Sequence, residues 1–374
     1  MDFNFSEEQE MLRKFARDFL NAECPTSLVK ELEQRGGERG YPEELWHKIA
    51  DLGWIGLPFP EQYGGGGGSF FDLALLLEEM GRACFPGPYF SSVVLGGTAI
   101  MEGGSEQQKK ELLPKMADGS CIFTLAFTEA SAKYSPDSIT AEATKQEGCY
   151  VLKGRKLFVP DANVADQIIF AAKAGEGDIT LFLVDAKSQG IRFTPLRTMV
   201  GDKQFEVVFD KVEVPQAAIL GGVNRGGEIL GKVLERATVA KCAEMVGGAQ
   251  RVLEMSADYV KTRVQFDRPI GSFQAIQHHL ANMLIDVMGA RWITYQACWM
   301  LSENLPCKLE VSAAKAWTSE AYRRVTALGQ QVHGGVAFII THDMPLYFKR
   351  AKQWEPLFGD ADFHREMVAK QLGM

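Results

Sequence analysis

Apolar residues recur every three or four positions over the first third of the chain, the spacing typical of amphipathic helices. In the first such stretch they are Met11, Leu12, Phe15 and Phe19. A capping box precedes them, in which Ser6 and Gln9 can each accept a hydrogen bond from the other's backbone. The glycine run at 64–68 follows no predicted strand and lacks the Lys-Ser/Thr of a phosphate-binding loop, so it predicts a flexible turn between helices.

Near Ser120 the pattern changes to short apolar or alternating runs separated by turn residues. Seven runs follow one another: CIFTLAF, SITAEAT, YVLKGRKLFV, QIIFAAK, ITLFLVD, IRFTPL and FEVVFDKVEV. Strands at this spacing predict a compact antiparallel barrel or sandwich. No helix is interleaved with them, which argues against a dinucleotide-binding fold of alternating strands and helices.

After Gly226 the helical pattern returns and continues to the C-terminus. Several long helices after a β domain predict a bundle of about four helices. We therefore predict an α+β fold in three domains. They are an N-terminal α-helical domain at 1–119, a middle antiparallel β-barrel or sandwich at 120–224 and a C-terminal four-helix bundle at 225–374.

The 374-residue chain is 46% hydrophobic and 24% charged, with a formal net charge of -8 and a pI of about 5.5. This acidic balance argues against a nucleic-acid-binding surface, which would need clustered Lys and Arg. The seven cysteines include no CxxC pair, so we expect free thiols and neither a zinc site nor a disulfide framework. No apolar run approaches the roughly 18 residues of a membrane span and no targeting signal is evident, which predicts a cytoplasmic protein.

Two segments of the predicted β domain could grip a flat heterocycle. LAFTE ends a strand with the hydroxyl of Thr128, and KLFVPDA puts Phe158 close to Pro160. Proline cannot donate to a sheet ladder, so we expect Pro160 to leave the sheet. A threonine and an aromatic ring suit the edge and the face of a heterocycle, although core packing beside a turn would give the same pattern.

The segment RVQFDRPIGSFQAIQHH carries Arg263, Phe266, Arg268 and Gln274 around a predicted helix break. Guanidinium groups suit a diphosphate, and an aromatic ring with a glutamine suits a nucleotide base. A surface loop with solvated arginines is the alternative. The later QVHGG adds a glycine pair, which either permits close approach of a ligand or simply caps a helix.

The stretch WEPLFGDADFHRE, residues 354–366, crowds acids and a histidine at the start of a predicted helix. They could be metal ligands, an acid/base set or a solvated helix face.

In this order and with these gaps, the stretches resemble the acyl-CoA dehydrogenase superfamily of flavoproteins over essentially the whole chain. PEQYGGGG is similar to the family's proline to Gly-Gly turn, and LAFTEA with KLFVPDA to its two flavin-contacting segments. RVQFDRPIGSFQAIQ resembles the signature Arg-x-x-Phe-Gly-x-x-Ile-x-x-Phe-Gln. QVHGG and FGDADFHR resemble its paired-glycine and terminal-helix segments.

The resemblance implies FAD as the cofactor, with Thr128 hydrogen-bonded to the flavin ring and Phe158 stacked where many members carry tryptophan. It implies that residues from a neighbouring subunit hold the FAD pyrophosphate and adenine, and these are Arg263, Phe266, Gln274, Gln331, Gly334 and Gly335. Asp360 is implied to face the FAD nucleotide. A cofactor site shared between subunits implies an oligomer, usually a homotetramer.

The sequence departs from the family pattern at three places. Pro160 stands where a threonine usually does, which removes a hydroxyl and a backbone donor near the flavin. Asp267 replaces a glycine. Phe358 occupies the position of the glutamate in Tyr-Glu-Gly-Thr that removes the α-proton, and a phenyl ring cannot accept a proton. The acids that follow are then expected to be helix-start charge, not a metal site.

Other family members suggest three explanations of the missing base. Some subfamilies carry the glutamate in a Leu-Glu-Arg sequence, which makes Glu235 the candidate catalytic base, although it lies about two residues out of register and could be ordinary charge in a first helical turn. Others, which oxidise alicyclic CoA thioesters, use an aspartate in an N-terminal loop on a carbon other than the α-carbon. The corresponding FPGPYFSSVVLG has Ser91 and Ser92 and no carboxylate, so this match fails. A third group forms mixed tetramers in which one subunit lacks the base.

We therefore predict an oxidoreductase acting on CH–CH groups, which dehydrogenates an acyl-CoA thioester with FAD and passes electrons to electron-transfer flavoprotein. The missing base favours a bulky, branched or cyclic acyl group. The alternative is a base-less FAD-binding and assembly subunit in a heterotetramer with a base-bearing homologue.

Overall fold

A computed structural model describes residues 4–35, 39–131, 138–175 and 177–374. The chain forms two compact units. Unit 1 comprises Met1–Glu31, Ser69–Phe85 and Thr238–Met374, and unit 2 comprises Leu32–Gly68 and Pro86–Ala237.

The N-terminal third is helical, as the apolar spacing predicts. Its helices are α1 (Glu7–Glu23), α2 (Thr26–Arg35), α3 (Glu43–Asp51), α4 (Phe70–Ala83), α5 (Thr98–Gly103) and α6 (Glu106–Ala117), with a π-helical segment at Phe90–Gly97. The capping box of α1 is confirmed, since Ser6 and Gln9 exchange both hydrogen bonds. The predicted apolar face of α1 is wrong in part. The helix buries Ala16 and Leu20, while Met11 and Phe15 are exposed.

The glycine run at 64–68 is held by backbone hydrogen bonds and is not the flexible turn that its composition predicts. The N–H groups of Gly66, Gly67 and Gly68 donate to carbonyls at 56, 59 and 57 over 2.8–2.9 Å. A Cβ atom at Gly65 would lie 2.1 Å from the carbonyl oxygen of Phe59. Glycine is therefore needed because two backbone segments approach each other closely.

All seven predicted strands form, and they build the sheet of unit 2. They are β1 (Phe123–Ala126), β2 (Glu142–Gln146), β3 (Cys149–Pro160), β4 (Gln167–Lys173), β5 (Ile179–Asp185), β6 (Ile191–Leu196) and β7 (Gln204–Pro215), followed by β8 (Ile219–Leu220). Their order is β6-β7-β3-β2-β4-β5-β8, with β1 beside β4. The sheet is mixed and not wholly antiparallel, because β4 pairs with both β1 and β2 in parallel.

The C-terminal part is a helical bundle. Its helices are α7 (Gly226–Thr262), α8 (Gln274–Ser302), α9 (Lys308–His333), α10 (Met344–Trp354) and α11 (Ala361–Gln371). The short strands β9 (Val264–Gln265) and β10 (Arg268–Pro269) form a hairpin between α7 and α8. Within unit 1, α4 and α7 cross closely, since a Cβ atom at Gly81 would lie 2.0 Å from Glu244 O and one at Gly247 would lie 1.8 Å from Glu78 O.

Candidate active site

The two predicted flavin-facing segments are joined in unit 2. The Leu157 N–H donates to the Thr128 carbonyl over 2.9 Å. Beside this contact, Lys156 Nζ donates to Glu129 Oε1 over 2.7 Å, and both side chains are buried. The structure thus brings the segments of Thr128 and Phe158 together, as the resemblance implies.

Lys156 and Glu129 form a buried pair that the sequence analysis missed. Glu129 also accepts from the backbone and hydroxyl of Thr140 and from the Ala141 N–H. Burial alone would raise the pKa of Glu129, but the hydrogen bonds from Lys156 and Thr140 outweigh it and lower the pKa below its usual value. Burial lowers the pKa of Lys156 to about 8, against the opposing effect of Glu129. At neutral pH the two side chains therefore form a buried ion pair.

Phe158 sits on a β-bulge that turns its ring outward. The register between β3 and β7 shifts between Lys156 and Val159, and Phe158 takes a φ of 53°. Its side chain is 56% exposed, whereas Val159 is buried. Pro160 does not leave the sheet as expected: it pairs with Gln204 as the last residue of β3, and its carbonyl accepts from Thr124 Oγ1 over 2.6 Å. A proline is tolerated there because the position adjoins the β-bulge between Lys156 and Val159.

Glu235 lies in the third turn of α7, so it is not helix-start charge. It is the tenth residue of a helix that begins at Gly226, and the acid in the first turn is Glu228. The side chain of Glu235 is half-buried. The next residue, Arg236, pairs with Glu102 of α5 over 2.9 Å. The explanation by the helix dipole is therefore wrong, and a role as the base stays a prediction.

The expected nucleotide-binding residues of unit 1 lie around the β9–β10 hairpin. Arg263 is exposed at its start, and Phe266 at its tip is 86% exposed. Arg268 is exposed, and its guanidinium stacks 4.2 Å from the ring centre of Phe273. Gln274 begins α8, and Phe273 before it supplies no side-chain cap. The first N–H groups of α8 therefore suit an anionic group such as a pyrophosphate.

Asp267 and Phe266 both have a positive φ, 60° and 52°. This explains the glycine that the family usually carries at the Asp267 position, because glycine takes the left-handed conformation without steric cost. Aspartate is among the side chains that tolerate it best, so the departure keeps the hairpin.

The glycine pair follows the end of α9. Gly334 caps the helix with a φ of 66°, and a Cβ atom at Gly334 or Gly335 would meet nothing within 4 Å. Gln331 is exposed on the last turn. His333 is structural: its Nδ1–H donates to the Gly329 carbonyl over 2.8 Å, and burial lowers its pKa. The pair is both a helix cap and an open surface.

A buried lysine donates hydrogen bonds to the backbone of the turn that carries Phe358. Lys315 Nζ donates to the carbonyls of Glu355 and Gly359 over 2.7 and 2.8 Å. Phe358 and Gly359 have positive φ values of 60° and 109°. His364 Nε2 donates to the Phe358 carbonyl over 3.0 Å. The turn has a defined conformation in which Phe358 is half-buried.

The acids after Phe358 start a helix. Asp360 is the exposed N-cap of α11 and accepts from the Phe363 N–H over 2.9 Å, and Asp362 pairs with Arg365 over 2.8 Å. The expectation of helix-start charge is confirmed. Over residues 4–35, 39–131, 138–175 and 177–374, no group of three or more His, Cys, Asp or Glu side chains could hold a metal ion.

Three family profiles cover most of the chain. They describe the N-terminal, middle and C-terminal domains of acyl-CoA dehydrogenase and match residues 6–120, 124–212 and 224–373. The chain belongs to the acyl-CoA dehydrogenase family. Its members are FAD-dependent oxidoreductases, so the expected family, fold class, enzyme class and cofactor are confirmed. No helix in the described part of the chain is long and apolar enough to cross a membrane.

Relatives and solved structures align over the full length. The chain is 31% identical to probable acyl-CoA dehydrogenase YngJ of Bacillus subtilis, with 100% of both chains covered. It is 29% identical to the caffeyl-CoA reductase-Etf complex subunit CarC of Acetobacterium woodii, over 98% of this chain and 99% of that one. The structure of the ChsE4-ChsE5 complex from Mycobacterium tuberculosis matches with a TM-score of 0.91 and 30% identity, over 100% of this chain and 99% of that one.

The residues of this chain fit FAD. In unit 2, the exposed ring of Phe158 and the half-buried Thr128 offer a face and a hydroxyl to a flavin. In unit 1, the uncapped start of α8 and the open glycine pair suit a dinucleotide.

Proposed function

We propose that this enzyme dehydrogenates a bulky, branched or cyclic acyl-CoA thioester. The observation that carries the flavin-dependent chemistry is the hydrogen bond of Leu157 to Thr128 beside the buried Lys156–Glu129 pair, since it joins the two segments proposed to face the flavin. Bound FAD supplies the hydride acceptor for the substrate's β-carbon. The chain's own residues must then orient the thioester and remove the proton from the α-carbon.

In this proposal Thr128 donates its hydroxyl to the flavin and Phe158 stacks on it. The pyrophosphate and adenine are held by residues of a neighbouring subunit, namely Arg263, Phe266, Gln274, Gln331, Gly334 and Gly335. Asp360, already used as a helix cap, faces the nucleotide. We further propose a cytoplasmic homotetramer that uses electron-transfer flavoprotein as acceptor, with domain boundaries at 119/120 and 224/225. The similarity to a subunit named for an Etf complex supports the acceptor.

The acyl preference rests on Phe358. A phenyl ring at the position of the usual glutamate cannot take the α-proton, and losing a general base costs on the order of 10²–10⁴ in rate. We propose that the α-proton therefore leaves toward another carboxylate, with Glu235 as the candidate named by sequence. A proton acceptor away from the position of the usual glutamate suits a bulky, branched or cyclic acyl group better than a straight chain.

The second candidate function is a base-less subunit of a hetero-oligomer. The similarity to a structure of a complex with two differently named components, ChsE4 and ChsE5, supports it. Such a subunit would bind FAD and contribute to assembly, while a homologue provides the proton acceptor.

The deciding measurement is the visible spectrum of the purified protein under anaerobic conditions, alone and with four thioesters. We expect a flavin spectrum that cyclohexanecarbonyl-CoA or isobutyryl-CoA bleaches and that butyryl-CoA and octanoyl-CoA leave unchanged. Rapid bleaching by the straight-chain thioesters would overturn the acyl preference. A flavin that no thioester bleaches would favour the hetero-oligomer.

A further inference from the structure

The loop FPGPYFSSVVLG contains no carboxylate, but the folded chain places the carboxylate of Asp161 beside it. Ser91 lies in the π-helical segment Phe90–Gly97 and is buried. Its hydroxyl donates to Asp161 Oδ2 over 2.6 Å. Ser91 Oγ is also 3.1 Å from the Pro88 carbonyl oxygen. Because the hydroxyl has a single proton, the shorter hydrogen bond to the charged carboxylate is favoured. Asp161 directly follows β3 and lies 70 positions after Ser91 in the sequence.

The backbone around Asp161 is fixed on both sides. Its N–H donates to the Lys203 carbonyl over 2.8 Å, and its own carbonyl accepts from Val164 and Ala165 over 3.1 Å. Asp161 has a φ of 52°, a left-handed conformation that a tight turn imposes. The side chain is half-buried. Its position is therefore set by the fold and not by a mobile loop.

Asp161 is also close to the predicted flavin surface. It lies three positions after Phe158, so their Cα atoms are at most about 11 Å apart. Pro160, just before it, is held by Thr124. Asp161 thus offers a carboxylate on a fixed turn of the flavin-facing segment, whereas Glu235 lies in the third turn of α7.

We propose that Asp161, oriented by Ser91, is the proton acceptor of the dehydrogenation. The inference rests on the proposed function. The α C–H bond breaks, its proton goes to the Asp161 carboxylate and its electron pair forms the C=C bond. Bound FAD would supply the two-electron oxidant, because it would accept the β-hydrogen as a hydride while the thioester loses two electrons.

The test is exchange of the α-hydrogen of cyclohexanecarbonyl-CoA, isobutyryl-CoA and butyryl-CoA with D2O, followed by proton NMR without an electron acceptor. Asp161→Asn keeps the left-handed backbone, because asparagine accepts it at least as readily. We expect exchange and flavin bleaching to slow at least about 100-fold. Flavin content and melting temperature should stay unchanged. Asp210→Asn, at an exposed position on β7, is the matched control and should behave as wild type.

Ser91→Ala is the second variant, expected to slow exchange roughly 10-fold by releasing the carboxylate. Should Asp161→Asn fail to fold, an unchanged exchange rate in Ser91→Ala overturns the proposal. Exchange at more than half the wild-type rate in folded Asp161→Asn overturns it as well, and loss of exchange in Glu235→Gln would then identify the base. Wild-type protein that neither exchanges nor bleaches with any of these thioesters would overturn both this inference and the proposed dehydrogenase.

Discussion

His364 is a buried imidazole whose chemistry is decided by its surroundings. Its Nε2–H donates to Phe358, and its Nδ1 has no hydrogen-bond partner among the described residues. Burial, with Lys315 nearby, lowers the pKa of His364 to about 4. The folded protein therefore keeps this side chain neutral at pH values where the unfolded chain protonates it.

Stability should consequently fall as the pH drops from about 6.5 to about 4, because the unfolded state binds a proton that the folded state does not. We expect wild type to lose about 1–2 kcal/mol more than His364→Gln between pH 7 and pH 5. Urea unfolding of both proteins at the two pH values measures the difference. Equal losses would show that His364 does not couple folding to pH.

The buried pair Lys156–Glu129 gives a second prediction at the residue scale. Lys156→Met would leave the Glu129 carboxylate buried without its cation, which typically costs about 3–5 kcal/mol. Lys153→Met, at an exposed position on the same strand, is the matched control and should cost almost nothing. Urea unfolding together with flavin content separates the two variants. Equal stability of both would contradict the role given to the pair.

Among the elements, the crossing of α4 and α7 depends on glycine. A Cβ atom at Gly247 would lie 1.8 Å from the Glu78 carbonyl oxygen, so Gly247→Ala must push the helices apart. Gly231 lies on the same helix α7, and a Cβ atom there meets nothing within 4 Å.

We expect Gly247→Ala to lower the melting temperature by several degrees or to prevent folding, because backbone cannot move aside as a flexible side chain can. Gly231→Ala should raise stability by up to about 1 kcal/mol, since alanine has the higher helix propensity. Thermal unfolding followed by circular dichroism compares the two. A Gly247→Ala protein as stable as Gly231→Ala would rule out the tight crossing.

On the scale of the whole molecule, unit 1 exposes the apolar segment Phe338, Ile339 and Ile340. Consecutive large apolar side chains in water are uncommon on a monomer and mark an interaction surface. We expect the purified protein to sediment with a mass near four times 41.4 kDa.

Ile340→Asp should shift that mass toward smaller species, because a charge buried in an interface without a partner is costly. Met199→Asp, at an exposed position in unit 2, is the comparison and should leave the mass unchanged. Analytical ultracentrifugation at several concentrations gives the result. A monomeric wild type would remove the basis for a cofactor site shared between subunits.

The sequence predicted most elements but not two local irregularities of the backbone. The seven strand runs and the capping box of α1 were readable because residue period and caps are local properties. The bulge at Phe158 and the hydrogen bonds of the glycine run at 64–68 were not, since each is set by pairing with another backbone segment. That segment is β7 in one case and residues 56–59 in the other. Glu235 was placed in a first helical turn because helix starts are read less reliably than helix existence.

By itself, the sequence determined the order of helices, strands and helices and the resemblance to the family. These follow from periodicity and from motifs of contiguous residues. Only the tertiary structure decided which side chains meet. Lys156 contacts Glu129, 27 positions away in the sequence, and Ser91 contacts Asp161, 70 positions away. Such contacts depend on strand pairing and loop placement, which short-range pattern does not encode, and so the carboxylate beside the N-terminal loop became visible only in the folded chain.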